Sequence, residues 1–449
     1  FKYGVLLYEM DQFQEAAETL DNIIQKKPNE LIVYDYAGKA LNHIGQHDKA
    51  ISALKAGLQK HPSATSLIQE LATSYLQKGD IEQAIGTINI AIEKEPTDTN
   101  HYLILSTIYI RTLRFENALQ ALNIALQIDN KNPTIINALG ATYSHMGDNA
   151  TASKYFLQSA RIDPTSPEPL LNLALCFGQM EKADLSLKFY DEVLKLDPNN
   201  VMALCAKASV MCDLGMSQEA LPLYKKGLNA LSQNETKKNY EYLTHHSNYI
   251  MYLHYSPEST QKEIFQELIE WQKQLCKNIT ENKRTSFNNT SDPNKKLRIG
   301  YISGGFVVHP VGQMTINALK NIDKAQFETY IYSDVLAPKQ DYMTDEFREV
   351  ADEFIDITSM QNAEITDLMH KHGIDILIEM TGYSHGGKRL PIAAARAAPV
   401  QVKWVGGLFN TTGLPQMDWI IGDKVEIPDG EEKWYTESVY RMPDDYIIY

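Results

Sequence analysis

The sequence lacks the long apolar runs of membrane proteins. No stretch of its 449 residues approaches the roughly 20 apolar residues that a membrane-spanning helix needs, and no charged-then-apolar signal segment opens it. We therefore expect no membrane partner, and the missing signal segment favours a cytoplasmic location. With 43% hydrophobic residues, the chain has an ordinary globular composition, and its length predicts two or three domains.

Cysteine and positive charge are also scarce. The four cysteines show no CxxC spacing and fall in helical patterns among apolar neighbours, so we interpret them as reduced core residues. The formal net charge of −15 would repel phosphate backbones, and no basic stripe interleaved with aromatic residues offsets it. Nucleic acid is therefore not an expected partner.

What the sequence does contain is a period of 34 residues. A residue that would end a helix recurs once per period, and it is proline in every copy but one: Pro28, Pro62, Pro96, Asn130, Pro164 and Pro198. Glycine recurs where two helices would turn, a place that favours a left-handed residue: Gly45, Gly79, Gly147 and Gly215. Each unit therefore reads as helix, glycine turn, helix and proline break.

Small residues mark the places where helices would approach closely. In the second helix of each unit they are Ala16, Ala50, Ala84, Ala118, Ala152, Ser186 and Ala220. In the first helix they are Gly38, Ala72, Ser106, Gly140, Ala174 and Ala208, and a large apolar residue follows each of them three positions later.

These columns resemble the tetratricopeptide-repeat consensus, over residues 1–234 and about seven repeats. The resemblance implies an α-solenoid, a superhelix whose concave groove binds protein or peptide segments. An alternative remains open, in which the solenoid is a spacer or a surface for homodimer formation.

Residues 235–296 read as a helical connector followed by a polar linker. A dense apolar stretch at 249–255 and an amphipathic pattern at 264–275 predict two helices. From 277 to 296 the composition is polar, with almost no apolar anchor.

Residues 297–449 alternate between strand and helix patterns, which predicts a parallel, doubly wound α/β domain. Strand cores are expected at 297–303, 330–332, 374–378, 400–405 and 419–421, with helices at 345–354 and 363–372. In such sheets the ligand crevice lies beyond the carboxyl ends of the strands.

Three loops after strands are therefore candidate site segments. Residues 304–312 place His309 at a helix N-terminus, where the helix dipole disfavours a protonated imidazole. Residues 380–389 contain several glycines that permit close approach of the backbone, and Lys388 and Arg389 are candidate anion ligands. Residues 404–413 are rich in glycine and hydroxyl groups that suit a sugar or a phosphate. From pattern alone, however, glycine-rich loops are common and a lone histidine is more often structural than catalytic.

Several segments of this domain together resemble the tetratricopeptide-repeat-containing O-linked N-acetylglucosamine transferases, the SPINDLY-like proteins included. The matching residues are Ser247-Asn248, Arg298 to Ser303, His309-Pro310, Arg389-Leu390-Pro391, Ala398 to Gln401, Trp404, Thr411-Thr412-Gly413 and Met417-Asp418. That family joins a repeat superhelix to a two-lobed GT-B glycosyltransferase core, so residues 297–449 are expected to be its first, Rossmann-like lobe.

The resemblance also implies a chemistry and roles for residues. The implied enzyme is an inverting protein O-glycosyltransferase that transfers a sugar from a nucleotide-sugar, UDP-N-acetylglucosamine by preference, to Ser or Thr of a protein substrate. His309 would be the general base or another proton-handling group. Gly382-Tyr383 and Thr411-Thr412-Gly413 would face the donor and the acceptor. No metal and no resident cofactor are implied, since helix dipoles and basic side chains of the second lobe would stabilise the leaving diphosphate.

Three departures from the family pattern bear on this hypothesis. Residues 406–410 replace the usual Gly-Tyr-Pro-Gly and are one residue longer. Of the asparagine ladder expected in the groove, only Asn172 is present. The chain opens on Phe1 within a helical pattern and stops at Tyr449 before a second lobe, which predicts a fragment that is inactive by itself.

Two further readings remain open. One is a repeat scaffold with a degenerate, non-catalytic lobe. The other is a related O-fucosyl- or N-glucosyltransferase, although the His309-Pro310 pair favours the N-acetylglucosamine branch.

Overall fold

The computed structural model describes residues 1–26, 28–232, 240–277, 279, 286–290, 292–383, 387–406 and 410–447. The chain divides into two compact units, residues 1–214 and 215–449. None of the described helices is both long enough and apolar enough to cross a membrane. The four cysteines, all within the described residues, form no disulfide.

The first unit is a stack of paired helices, which confirms the solenoid. Its described helices are α1 (Lys2–Glu9), α2 (Phe13–Ile24), α3 (Leu31–His43), α4 (His47–Lys60), α5 (Thr65–Lys78), α6 (Ile81–Lys94), α7 (Thr99–Arg111), α8 (Phe115–Ile128), α9 (Pro133–His145), α10 (Asn149–Ile162), α11 (Pro167–Gln179), α12 (Ala183–Leu196) and α13 (Val201–Asp213). Consecutive helices pack together, and each odd-numbered helix also contacts the next odd-numbered one. The odd-numbered helices therefore line one common face.

The two columns of small residues lie where neighbouring helices approach each other most closely. A Cβ added to Gly38 would come within 2.7 Å of Leu54, and one added to Gly140 would come within 2.7 Å of Phe156. The alanines of the second column are fully buried. Larger side chains there would separate the paired helices.

The turn inside each pair contains a residue with positive φ. These residues are Asp11, Gly45, Gly79, Leu113, Gly147, Glu181 and Gly215, with φ values from 58° to 93°. The glycine turns are thus confirmed, and the same conformation also occurs at the three positions where the sequence supplies no glycine.

Three helices open the second unit: α14 (Ser217–Ser232), α15 (Tyr240–His254) and α16 (Gln261–Lys277). The periodicity assigned α14 to the last repeat, whereas here α14 falls in the second unit and packs on α15. The fully buried Trp271 of α16 donates its indole N–H to the Leu243 carbonyl at 2.8 Å, which joins α16 to α15.

A parallel sheet of seven described strands forms the rest of the second unit, as the alternating pattern predicted. The strands are β1 (Leu297–Ser303), β2 (Phe327–Ser333), β3 (Glu353–Asp356), β4 (Ile376–Glu379), β5 (Val400–Lys403), β6 (Trp419–Gly422) and β7 (Ser438–Arg441), in the order β3-β2-β1-β4-β5-β6-β7. The helices between them are α17 (Pro310–Lys320), α18 (Tyr342–Val350), α19 (Asn362–His372) and α20 (Leu390–Ala394).

Both faces of this sheet are covered. Ile299 and Tyr301 of β1 pack with α17 and α18, whereas Ile302 packs with α19. Strands buried on both faces have nearly continuous apolar runs, and the run from Ile299 to Ile302 explains why β1 was predicted.

The helix expected at 345–354 is wrong at its end. It stops at Val350, and residues 353–354 instead begin β3. The Asp352 carboxylate accepts hydrogen bonds from the backbone N–H of Thr329 at 2.7 Å and from Lys324 at 2.8 Å, which turns the chain onto the sheet edge.

Candidate functional site

The candidate loops meet where the strand order reverses, between β1 and β4. At this place the connections leave the sheet in opposite directions and open a crevice at the carboxyl ends of the strands. The described parts of the loops are residues 304–309 after β1, 380–383 after β4, and 404–406 with 410–413 after β5. Ser384, His385 and Gly386 of the second loop, and residues 407–409 of the departure from the family pattern, lie outside the described residues.

The loop after β1 is packed too tightly for side chains at two of its glycines. A Cβ on Gly312 would lie 2.3 Å from the Val307 carbonyl oxygen, and one on Gly305 would lie 2.9 Å from Val311. Asp341, at the start of α18, accepts a hydrogen bond from the Val308 N–H at 2.7 Å. These contacts fix the path of the backbone into α17.

His309 caps α17 and is exposed. Its Nδ1 accepts a hydrogen bond from the Val311 N–H at 3.2 Å. An accepting Nδ1 carries no proton, so the neutral ring has its proton on Nε2. The exposed edge of the ring is therefore a hydrogen-bond donor as long as the cap persists.

Tyr383 ties the second loop to the third. Its hydroxyl donates to the Thr412 carbonyl at 2.7 Å, and its ring meets Trp271 edge-on with ring centroids 5.0 Å apart. Burial, followed by the negative charges of Glu437 and Glu379, raises the pKa of this phenol well above its usual value. The phenol therefore stays protonated and acts as a donor.

Thr411 and Thr412 are fully buried and bind Glu437. The carboxylate of Glu437 accepts from the Thr411 hydroxyl at 2.6 Å, from the Thr412 N–H at 2.7 Å and from the Thr412 hydroxyl. Gly413 has a φ of +69°, and an added Cβ would lie 3.2 Å from the Leu268 carbonyl oxygen of α16. In this arrangement the threonines shape the loop, and their hydroxyls donate within the protein.

A buried charged pair lies beneath these loops. Glu379 and Lys403 are neighbours in the register of β4 and β5, and both are almost fully buried. The Glu379 carboxylate accepts from the N–H groups of Thr381 at 2.7 Å and Gly382 at 3.0 Å, and Lys403 donates to the Asn410 carbonyl at 2.7 Å.

Burial shifts the pKa of both members of this pair toward the neutral form. The pKa of Lys403 is lowered by burial, against the opposing attraction of Glu437 and Glu379. The pKa of Glu379 is raised by burial, although the N–H of Thr381 and the charge of Lys403 oppose the shift. The sequence analysis missed these residues, but a charge at the end of an otherwise apolar strand is the signal that would have found them.

Arg389 is 3% exposed and is held by the protein itself. Its guanidinium donates to Asp334 at 2.6 Å, to the Ile357 carbonyl at 2.8 Å, and to Met360 and Asn362 at 3.0 Å. These contacts fix the loop to the ends of β2 and β3 and occupy both terminal nitrogens of the guanidinium, whereas Nε is buried without a hydrogen-bond partner among the described residues.

Lys388 stays partly exposed beside Asp334, at 3.3 Å. It lines a cleft of about 330 Å³ that also includes Leu243, Leu275, Gln361 and Asn362. Arg389 lines the same cleft but is buried, so Lys388 is the more accessible of the two basic residues predicted to meet an anion.

Asn172 lies in the solenoid, on the odd-numbered helix α11. Its amide donates to the Asn137 side chain at 3.2 Å, and Asn137 in turn donates to Glu168 at 2.9 Å. A similar cluster links Asn42 to Glu70 and Ser74, both at 2.8 Å. These polar clusters join neighbouring repeats, and the sequence analysis had identified only Asn172.

Comparison with protein families finds two kinds of domain along the chain. Residues 244–449 match Glycosyl transferase family 41. Residues 2–65, 45–107, 133–166 and 167–200 match the tetratricopeptide repeat.

Individual proteins agree with these matches. "Probable UDP-N-acetylglucosamine--peptide N-acetylglucosaminyltransferase SPINDLY" of Petunia hybrida is 34% identical over 168 residues, covering 36% of this chain and 18% of that protein. "UDP-N-acetylglucosamine--peptide N-acetylglucosaminyltransferase" of Caenorhabditis elegans is 31% identical over 155 residues, covering 34% of this chain and 13% of that protein. The chain thus spans about a fifth or less of these curated relatives.

Among solved structures, a mutant O-GlcNAc transferase of Thermobaculum terrenum aligns with a TM-score of 0.57 and 26% identity. The alignment covers 70% of this chain and 58% of that one.

Proposed function

Since the chain belongs to the tetratricopeptide-repeat-containing glycosyltransferases of family 41, we propose that it is the repeat region and first catalytic lobe of a protein O-glycosyltransferase. The donor would be UDP-N-acetylglucosamine, and the acceptor a Ser or Thr hydroxyl of a protein. The proposal rests mainly on one observation. A single chain contains both the helix pairs and a lobe whose candidate loops lie together between β1 and β4, where the strand order reverses.

In the proposed reaction the acceptor oxygen bonds to the anomeric carbon, the bond from that carbon to the diphosphate oxygen breaks, and the configuration inverts. The hydroxyl proton leaves to a base, and the nucleoside diphosphate departs with the bonding electrons. We propose no metal and no resident cofactor in this step. Basic groups and helix dipoles of a second lobe, which the resemblance implies, would stabilise the diphosphate, so the 449-residue chain alone would be inactive.

His309 is the proposed proton-handling residue. While its Nδ1 accepts from Val311, Nε2–H can only donate a hydrogen bond to a substrate oxygen. To accept the hydroxyl proton, the ring must release Val311 and change tautomer. We propose that substrate binding at the exposed edge of the ring drives this exchange.

The remaining residues of the site would act by position. Tyr383 and Glu437 hold the two loops in one conformation, and Lys403 with Glu379 supports both loops from below. Lys388, beside its cleft, is the proposed cation for an anionic group of the substrate. The odd-numbered helices, with Asn172 among their polar clusters, would form the peptide groove.

One observation favours the alternative of a non-catalytic scaffold. Thr411, Thr412 and Arg389 direct their polar groups into the protein, which leaves fewer free donors than a sugar site usually offers. A scaffold would keep the peptide groove and lose the transfer.

The test uses the full-length parent protein with UDP-N-acetylglucosamine, GDP-fucose and UDP-glucose in turn, with cell lysate as acceptor and added sugar mass as the readout. One donor is expected to support transfer. His309→Asn is the matched variant, because asparagine is itself a favoured N-cap and so preserves α17. Loss of a proton-transfer group predicts a fall in rate of about 10²–10⁴-fold.

The exposed His145 of the solenoid supplies the control. His145→Leu should transfer sugar at the rate of the unmodified protein. If no donor supports transfer although peptides bind the solenoid, the hypothesis of a non-catalytic scaffold is preferred to that of an enzyme.

A further inference from the structure

A buried histidine interrupts an apolar column of the solenoid. At the equivalent position of the other repeats stand Val33, Leu67, Ile135, Pro169 and Ala203, all of them buried. In α7 the position is His101, whose exposure is 0%. Buried polar side chains almost always have a polar partner, so this exception requires one.

One ring nitrogen of His101 has its partner. Nδ1 lies 3.1 Å from the Glu95 carbonyl oxygen, and because a carbonyl only accepts, Nδ1 carries a proton. Nε2 is buried and has no hydrogen-bond partner among the described residues. Its lone pair in the neutral ring is therefore unused.

Two carboxylates face this nitrogen. Asp98 Oδ2 lies 3.4 Å from Nε2, and a Glu95 oxygen completes a group in which the three ligand atoms lie within 4.8 Å of one another. Two acceptors facing a lone pair repel each other unless a cation lies between them. A tetrahedral ion with bonds of about 2.0–2.1 Å separates its ligand atoms by about 3.3–3.4 Å, which is the spacing of Nε2 and Oδ2.

The surroundings of the group hold it in place. Asp98 Oδ1 accepts from the Asn100 N–H at 2.9 Å, which fixes that carboxylate at the start of α7. Thr65 of α5 donates to the Glu95 carboxylate at 3.2 Å. The bond from Nδ1 to a backbone carbonyl is the support that metal-ligating histidines usually have, and it directs Nε2 to the ion.

We propose that Glu95, Asp98 and His101 bind one divalent transition-metal ion, Zn²⁺ by preference, at the turn between α6 and α7. One imidazole nitrogen and two carboxylate oxygens suit Zn²⁺, with water as the fourth ligand. The ion would join the end of α6 to the first turn of α7. This site lies in the solenoid and does not depend on the proposed glycosyl transfer.

The experiment measures Zn²⁺ binding to the full chain by isothermal titration after treatment with a chelator, with thermal unfolding as the second readout. One ion per chain is expected at this site, with a rise in melting temperature. Mg²⁺ and Ca²⁺, which prefer oxygen ligands, should bind at least tenfold more weakly.

His101→Leu is the decisive variant, because leucine stands at the equivalent position of the preceding repeat. It should fold without metal and lose the zinc-dependent rise in melting temperature. Glu95→Gln keeps the size of that side chain and should weaken Zn²⁺ binding by at least about tenfold. His145→Leu, at an exposed histidine, should bind Zn²⁺ as the unmodified chain does.

Two results would overturn the site. In the first, His101→Leu binds Zn²⁺ with unchanged affinity and stoichiometry, which places the ion elsewhere. In the second, the unmodified chain binds no Zn²⁺ at micromolar concentration, which shows that the three side chains do not form a metal site.

Discussion

Replacing Leu113 with glycine is expected to stabilise the solenoid, and replacing Gly79 with leucine is expected to destabilise it. Both residues end the first helix of a repeat with positive φ, at 58° and 93°. The backbone bonds around them match: Arg114 N–H reaches the Tyr109 carbonyl at 2.8 Å, and Asp80 N–H reaches that of Tyr75 at 2.9 Å. The two sites therefore differ mainly in the residue that adopts the turn.

The magnitude follows from three contributions. A side chain in the left-handed region costs about 1–2 kcal/mol. Glycine loses about 0.5–1 kcal/mol more backbone entropy on folding. Burial adds little, because Leu113 is 75% exposed and nothing lies within 4 Å of a Cβ added to Gly79. Each of the two substitutions should therefore change the free energy of unfolding by about 0.5–1 kcal/mol, with opposite signs.

The assay is urea unfolding of the full chain followed by circular dichroism at 222 nm, combined with native-state hydrogen exchange. Exchange is needed because repeats can open separately, and it reports on α5–α6 and α7–α8 individually. Gly147→Leu, at a turn with φ of 83° and no atom within 4 Å of its added Cβ, should match Gly79→Leu. Changes of the same sign in Leu113→Gly and Gly79→Leu would refute the reasoning, because backbone strain would then not control these turns.

Three further changes test the second unit. Lys403→Met should destabilise it by about 3–5 kcal/mol, since two buried carboxylates lose their cation, and adding Glu379→Gln should recover part of the loss in a double-mutant cycle read by chemical denaturation. Glu437→Gln should cost about 1–3 kcal/mol, because both carboxylate oxygens accept hydrogen bonds from Thr411 or Thr412 and an amide nitrogen can replace neither as an acceptor, and a melting temperature equal to that of the unmodified chain would contradict this role. For Asp375, burial raises the pKa but is outweighed by the Arg298 N–H and by Lys295 and Asn289, so the net pKa is lowered. A lowered carboxyl pKa stabilises the fold above the unfolded value of about 3.9 and loses that effect as pH falls, so Asp375→Asn should be less stable at pH 7 and approach the unmodified chain below about pH 4 in acid titration of stability.

Repeats and buried strands were predictable from the sequence because their signals are local. The 34-residue register identified the helix pairs of the first unit, and the buried run from Ile299 to Ile302 marked β1. The edge strands β3 and β7 were missed because neither contains a buried residue, whereas the equally short β4, β5 and β6 do. Without buried apolar residues, a short edge strand cannot be distinguished from a turn by its sequence.

The candidate site was predictable in its loops but not in its contacts. Glycines and His309 marked the loops, whereas Glu437 binds Thr412 from 25 residues further along the chain. Arg389 shows the same limit, because its role depends on Asp334, 55 positions earlier. Contacts of that range depend on strand order, which no local pattern specifies.

Because Trp271 contacts Tyr383, the intrinsic fluorescence of the second unit reports on the loop that follows β4. Of the four tryptophans, Trp271 is fully shielded from solvent, and its ring touches the loop that follows β4. Its fluorescence should therefore lie at the blue end of the emission band and respond to any displacement of Tyr383. If the proposed function holds, a titration with a nucleotide-sugar should change this emission, which requires neither a label nor a coupled enzyme.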